Sequence, residues 1–226
     1  MVFAVLFLFE LAFLFFLSRV LTRSVSEFFL RITKNKNTAI YLFSFLFLPG
    51  VIVHELSHLL TASLLFVPVG EIEFMPKVSG DEVKLGSVAV AKTDPIRRAI
   101  IGAAPFIIGV LIILSSLFYF TKLNFPISQT IKVILELFIV FEIGNTMFSS
   151  SKDLEGTLEL LVVILLIMGM LFFIGLRVPQ AIPDYFSSPA TKALFGKIDL
   201  LILVPIGLDL LVIGWIKLLR KSKSIY

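Results

Sequence analysis

Long apolar runs, separated by short clusters of charge, constrain this 226-residue chain more than any other feature. Runs at residues 1–17, 39–67, 96–120, 127–148, 157–176 and 198–219 each reach the length that crosses hydrocarbon as a helix. Within lipid a backbone must satisfy its own polar groups, and unalternating runs of this length do so as helices. With 58% hydrophobic residues, 16% charged and a mean hydropathy of +1.03, a water-soluble domain is excluded. The expected fold class is therefore an all-α integral membrane protein of about six transmembrane helices. Six crossings would put both ends of the chain on one side. Lys and Arg then divide evenly between the two sides, so the positive-inside rule selects no orientation.

Taken in order, residues 1–38 read as a first transmembrane helix followed by an interfacial segment. Residues 1–17 lack the basic start and small-x-small site of a cleaved signal, so this span is expected to be retained. From residue 19 to 37, Phe28, Phe29, Leu30 and Ile32 alternate with basic side chains, which predicts a short interfacial helix. Residues 39–176 form the expected core, and residues 177–226 a loop, a sixth transmembrane helix and a basic tail. Inside the core, residues 71–92 change texture: β-rich stretches flank Ser-Gly-Asp-Glu and predict a small membrane-associated β-hairpin. Its edge strand is a place where an extended peptide can pair. The net charge of +4 comes with no basic domain or aromatic-basic stripe, so the lipid bilayer is the expected partner and nucleic acid is not.

The chemistry concentrates at Val51-Ile-Val-His-Glu-Leu-Ser-His-Leu-Leu60. The chain has two histidines, and both lie here as His54 and His58, with Glu55 after the first. Residues four apart share a helix face, so two imidazoles at this spacing can hold one zinc ion while Glu55 activates water beside them. Imidazoles and a carboxylate at lipid depth are costly unless they face a cavity or a metal. Pro49 and Gly50 predict a kink just before His54. With no cysteine in the chain, a third protein ligand must be a carboxylate. The candidates near membrane depth are Glu10, Glu136, Glu142, Asp153, Glu155, Glu159 and Asp209. A polar break between spans can bend inward to line a cavity, which favours Asp153 and Glu155 in the segment 145–156.

With these residues in view, the chain resembles the site-2 protease family of intramembrane zinc metalloproteases. That family completes its HExxH helix with an Asp from a later span, and an Asn stands eight residues before that Asp. Asn145 stands eight residues before Asp153 here, and Gly156 closes the segment. The small-residue stretch Gly102-Ala-Ala-Pro-Phe106 and the hairpin after the HExxH helix belong to the same likeness. Phe148 stands where the family usually has Pro, and Asp-Leu-Glu-Gly replaces a tighter Asp-Gly ending, which keeps Glu155 as the rival third ligand. The resemblance implies Zn²⁺ held by His54, His58 and Asp153, with Glu55 as general base and Asn145 as a catalytic residue. Asn145 then either stabilises the oxyanion or holds the substrate backbone. It implies hydrolysis of peptide bonds in or near transmembrane segments of membrane-protein substrates, in a multi-pass protein of the cell membrane. The alternatives are a membrane metalloprotease like the CAAX-prenyl proteases, which take a Glu as third ligand, and a non-catalytic membrane scaffold or metal transporter. An intact Glu55 disfavours a silent scaffold, because a structural metal site needs no general base.

Overall fold

A computed structural model describes residues 2–79, 82–119, 128–148, 162, 165–167, 169–170, 173–174 and 188–222. Its helices, in chain order, are α1 (Val2–Thr33), α2 (Lys36–Leu46), α3 (Leu48–Leu64), α4 (Pro95–Tyr119), α5 (Gln129–Thr146) and α6 (Pro189–Ser222). Four short strands, β1 (Val69–Glu73), β2 (Lys77–Ser79), β3 (Glu82–Lys84) and β4 (Ser87–Val90), lie between α3 and α4. Among the described residues, α1, α4 and α6 contain stretches long and apolar enough to cross a membrane, and a fourth span results if α2 and α3 count as one. Helix α5 has 18 residues and buries Lys132, Glu136 and Glu142, while Ile131, Ile134, Leu135 and Phe138 are exposed. The predicted span at residues 157–176 lies mostly outside the described residues, and the residues described within it are exposed.

The separate interfacial helix expected over residues 19–37 is replaced by a continuation of α1 through Thr33. The reason is a stripe: Leu14, Leu17, Leu21 and Val25 recur at helical spacing and are all buried, so Arg19 and Arg23 leave the apolar face unbroken. That stripe shares one core with Ile202, Ile206, Ile213 and Ile216 of α6. Between lipid-embedded helices such packing acts through dispersion and polar contacts, because lipid is as apolar as leucine. Arg220 Nη2 of α6 meets Glu27 Oε2 of α1 at 2.6 Å, and both Ser18 and Asp209 bond Asn145 further along. The pairs Ser18/Asp209 and Glu27/Arg220 ascend together, so α1 and α6 run in the same direction. Phe15 packs on Phe148 while Ser18 bonds Asn145, which sets α5 antiparallel to both.

These directions correct the expected topology. Six crossings with both ends on one side would make the first and last helices antiparallel, whereas they are parallel. Hydropathy counts apolar runs and is blind to the direction in which each is traversed.

The kink expected at Pro49 is present. Helices α2 and α3 meet at 68° across Phe47, and Pro49 sits in the first turn of α3, where its missing N–H costs nothing. Asn35 caps α2 by accepting from Asn37 N and Thr38 N. Asp94 caps α4 through Oδ1, which accepts from Ile96 N and Arg97 N. Those bonds, Arg97 first, together with the Arg97 charge, hold the Asp94 carboxyl below its usual range.

The expected hairpin is present over residues 69–90 and is built from two ladders. Strand β1 pairs antiparallel with β4, in the register Val69↔Val90 and Ile72↔Val88, and β2 pairs with β3, with Val78 opposite Val83. An irregularity between Val69 and Ile72 bends the outer ladder.

Candidate metal centre

Helix α3 presents three different faces. Gly50, His54 and His58, each four residues apart, form one buried stripe. Val51 and Glu55 form a second buried line beside it. Leu56, Leu60 and Leu64 are exposed, as lipid-facing side chains should be.

The histidine stripe is enclosed by α4 and α5. His54 is 4% exposed and His58 7%. Their Nε2 atoms face each other at 3.2 Å, with the rings nearly perpendicular at 83°. The other nitrogen of His58, Nδ1, lies 2.8 Å from the carbonyl oxygen of Ile101 on α4. A carbonyl only accepts, so Nδ1 carries the proton and the lone pair of His58 is at Nε2. Two nitrogens bound to one tetrahedral zinc at about 2.0–2.1 Å stand about 3.4 Å apart, so the observed spacing fits a shared metal ion. Histidine ligands are ordinarily fixed by such a bond from the far ring nitrogen.

Glu55 lies under the hairpin. The backbone at Gly86, between β3 and β4, approaches so closely that a Cβ there would stand 2.8 Å from Val51 Cγ1 and 3.1 Å from Glu55 Oε1. Only a residue without a side chain lets the strand connection cross the helix at that height. The hairpin thus forms one wall around Glu55, with α3 packed against both β1 and β4.

The N-terminal turn of α3 is fixed from α5. Phe47, its N-cap, provides no side-chain bond. Glu142 Oε2 instead accepts from Gly50 N at 3.3 Å, and a carboxylate at a helix N-terminus is favoured by the exposed N–H groups there. The helices touch through Gly50, whose imagined Cβ would stand 2.4 Å from Thr146 Oγ1 and 2.8 Å from the carbonyl oxygen of Glu142. This close approach holds the histidine stripe against α5.

Asn145 sits on an adjacent face of α5, between α1 and α6. Its Nδ2 donates to Phe141 O at 2.9 Å and to Asp209 Oδ1 at 2.7 Å, and its carbonyl accepts from Ser18 Oγ at 3.1 Å. Both amide hydrogens are committed. Asn145 Oδ1 is buried without a hydrogen-bond partner among the described residues, so the polar function left to this side chain is that of an acceptor.

The expected site residues therefore divide. His54, Glu55 and His58 come together on one helix. Among the described residues, no third His, Cys, Asp or Glu joins the histidines in a set able to hold a metal ion. Of the described carboxylates considered for that place, Glu142 bonds the first turn of α3 and Asp209 bonds Asn145, while Glu10 and Glu136 are buried elsewhere on α1 and α5. Asp153, Glu155 and Glu159 lie outside the described residues. Sequence reasoning missed the Ile101 carbonyl, Gly86 and the role of Gly50. Of these, Gly50 carried a usable signal, one turn before His54 on the same stripe.

No family model matches the chain, and no curated protein or solved structure matches it either. The likeness to site-2 proteases rests on the residues quoted above.

Proposed function

We propose that this chain is an intramembrane zinc metalloprotease of the site-2 protease type, hydrolysing peptide bonds in or near transmembrane segments of other membrane proteins. The observation that carries this reading is the histidine pair, with Nε2 facing Nε2 at 3.2 Å and His58 Nδ1 tied to a backbone carbonyl. The two imidazoles are buried with Nε2 facing Nε2, the arrangement that two ligands of one ion require, and Glu55 is buried on the neighbouring line of the same helix. In this reading His54, His58 and Asp153 hold the zinc, with Glu155 as the rival third ligand, and the protein is a multi-pass protein of the cell membrane.

Zinc, when bound, supplies the Lewis acidity that makes water a nucleophile at neutral pH. Glu55 takes the proton from that water and delivers it to the leaving amide nitrogen, acting first as base and then as acid. Its burial under the hairpin keeps bulk water from competing for the same oxygens. Asn145 serves through Oδ1, accepting an N–H from an unwound substrate strand, because its own N–H groups are spent within the bundle. A substrate helix hides its backbone until it unwinds, and pairing with an edge of the β1–β4 ladder offsets part of that loss.

The test is cleavage of a panel of single-span membrane proteins by detergent-purified protein, wild type beside Glu55→Gln. Cleavage by wild type, and none by a Glu55→Gln protein that still holds zinc, is the expected result. Equal cleavage by both proteins would remove Glu55 from the chemistry and the proposal with it.

A further inference from the structure

Helix α4 contains a proline in its interior, Pro105, in the stretch Gly102-Ala-Ala-Pro-Phe106. In a regular helix the N–H of residue 105 would donate to the carbonyl four residues earlier, which is Ile101. Proline has no N–H, and its ring presses on that same carbonyl and tilts it away from the helix axis. The carbonyl of Ile101 is the one that His58 Nδ1 meets at 2.8 Å. Both Ile101 and Pro105 are buried, so the bond is made out of reach of water. These observations have separate origins: one is a covalent property of residue 105, the other a contact across two helices.

We propose that Pro105 is a positioning residue for the metal centre: by withdrawing the helical partner of the Ile101 carbonyl, it presents that oxygen to His58 and fixes the imidazole with its proton on Nδ1 and its lone pair on Nε2. The inference rests on reading His54 and His58 as metal ligands. It assigns a role to a residue that touches neither metal nor substrate. A neutral imidazole divides between two tautomers, and only the one protonated at Nδ1 offers Nε2 to a metal held jointly with His54. Fixing tautomer and ring angle before the ion arrives removes an ordering cost from binding.

The experiment compares wild type with Pro105→Ala, and with Pro205→Ala as the control proline inside α6. Zinc affinity is read by competition with a chromophoric chelator in detergent. The His58 tautomer is read from ring ¹⁵N shifts in the metal-free protein. In Pro105→Ala the restored N–H draws the Ile101 carbonyl back toward the helix axis. The expected result is zinc binding weaker by about tenfold, in line with the loss of a bond that orients a metal-ligating histidine. The Nδ1–H signature should become a mixture of tautomers. The unfolding temperature of the metal-free variant should stay at or above wild type, because a helical hydrogen bond is regained. Pro205→Ala should leave zinc affinity and tautomer unchanged. A Pro105→Ala protein with wild-type affinity and an unchanged His58 signature overturns the inference alone. A wild type that takes up no zinc overturns the metal reading, and the inference falls with it.

Discussion

The contact at Gly50 gives the sharpest stability prediction. In Gly50→Ala the new Cβ would sit 2.4 Å from Thr146 Oγ1, 2.7 Å from Thr146 Cγ2 and 2.8 Å from the carbonyl oxygen of Glu142. A threonine side chain can rotate, but a backbone carbonyl in mid-helix cannot. Close carbon-to-oxygen contacts settle at about 3.3 Å or more, so α3 and α5 must part by roughly 0.5 Å. The bond from Gly50 N to Glu142 Oε2, already 3.3 Å long, then passes out of hydrogen-bonding range. Overpacking of this kind costs about 1–3 kcal/mol, and the lost bond about 1 more, for a total of about 2–4 kcal/mol. The assay is thermal unfolding in detergent, followed by circular dichroism. Adding Thr146→Ala removes both γ atoms, so the double variant should recover part of the loss, while the Glu142 carbonyl keeps it below wild type. A Gly50→Ala protein as stable as wild type would refute the claim that α3 and α5 are locked at this point.

Three further outcomes are expected. Gly86→Ala should push the strand connection off Val51 and Glu55, lowering proteolysis while leaving zinc content unchanged, since the atoms a Cβ at Gly86 would meet first belong to Val51 and Glu55. Phe66 holds a left-handed backbone (φ 57°) at the end of α3, where Phe66 N bonds Ser63 O and Val67 N bonds Ala62 O, and its ring is 91% exposed. Glycine is the usual residue at such a cap, so Phe66→Gly should raise stability by about 1 kcal/mol in a denaturation series, and a loss of stability would contradict the strain argument. Because α1 and α6 are parallel, cysteines introduced as Asn35→Cys and Ser222→Cys should be labelled by an impermeant maleimide from the same side of the membrane. The chain has no cysteine of its own to confuse that readout, and labelling from opposite sides would restore the antiparallel arrangement that six crossings require.

What was legible in the sequence was whatever a local rule could carry. The HELSH helix followed from spacing, the break between α2 and α3 from Pro49, and the strands from their texture on either side of Ser-Gly-Asp-Glu. Residues 19–33 misled because charges at Arg19, Arg23 and Arg31 suggested an interface, while the stripe continuing through Leu21 and Val25 decided the matter. The parallel pairing of α1 with α6 depends on residues about two hundred positions apart, and no hydropathy pattern encodes it. Asp209 is one of the candidate third ligands in the sequence, and its partner in the fold is the amide of Asn145 on another helix. Pro105 lies between these cases. A proline frees the carbonyl four residues before it, and that much is readable. That the freed oxygen faces His58 is a fact of packing.

The central claim is that His54 and His58 share a zinc ion, and metal stoichiometry on purified protein tests it most directly. Zinc should be measured in wild type, Glu55→Gln, His54→Ala and His58→Ala after removal of adventitious metal. The account predicts about one zinc per chain in wild type and Glu55→Gln, and a loss of bound zinc in each histidine variant, because one imidazole is too few for a stable site. Zinc absent from wild type, or retained equally by both histidine variants, would contradict it and leave HELSH as a membrane helix whose two histidines bond one another.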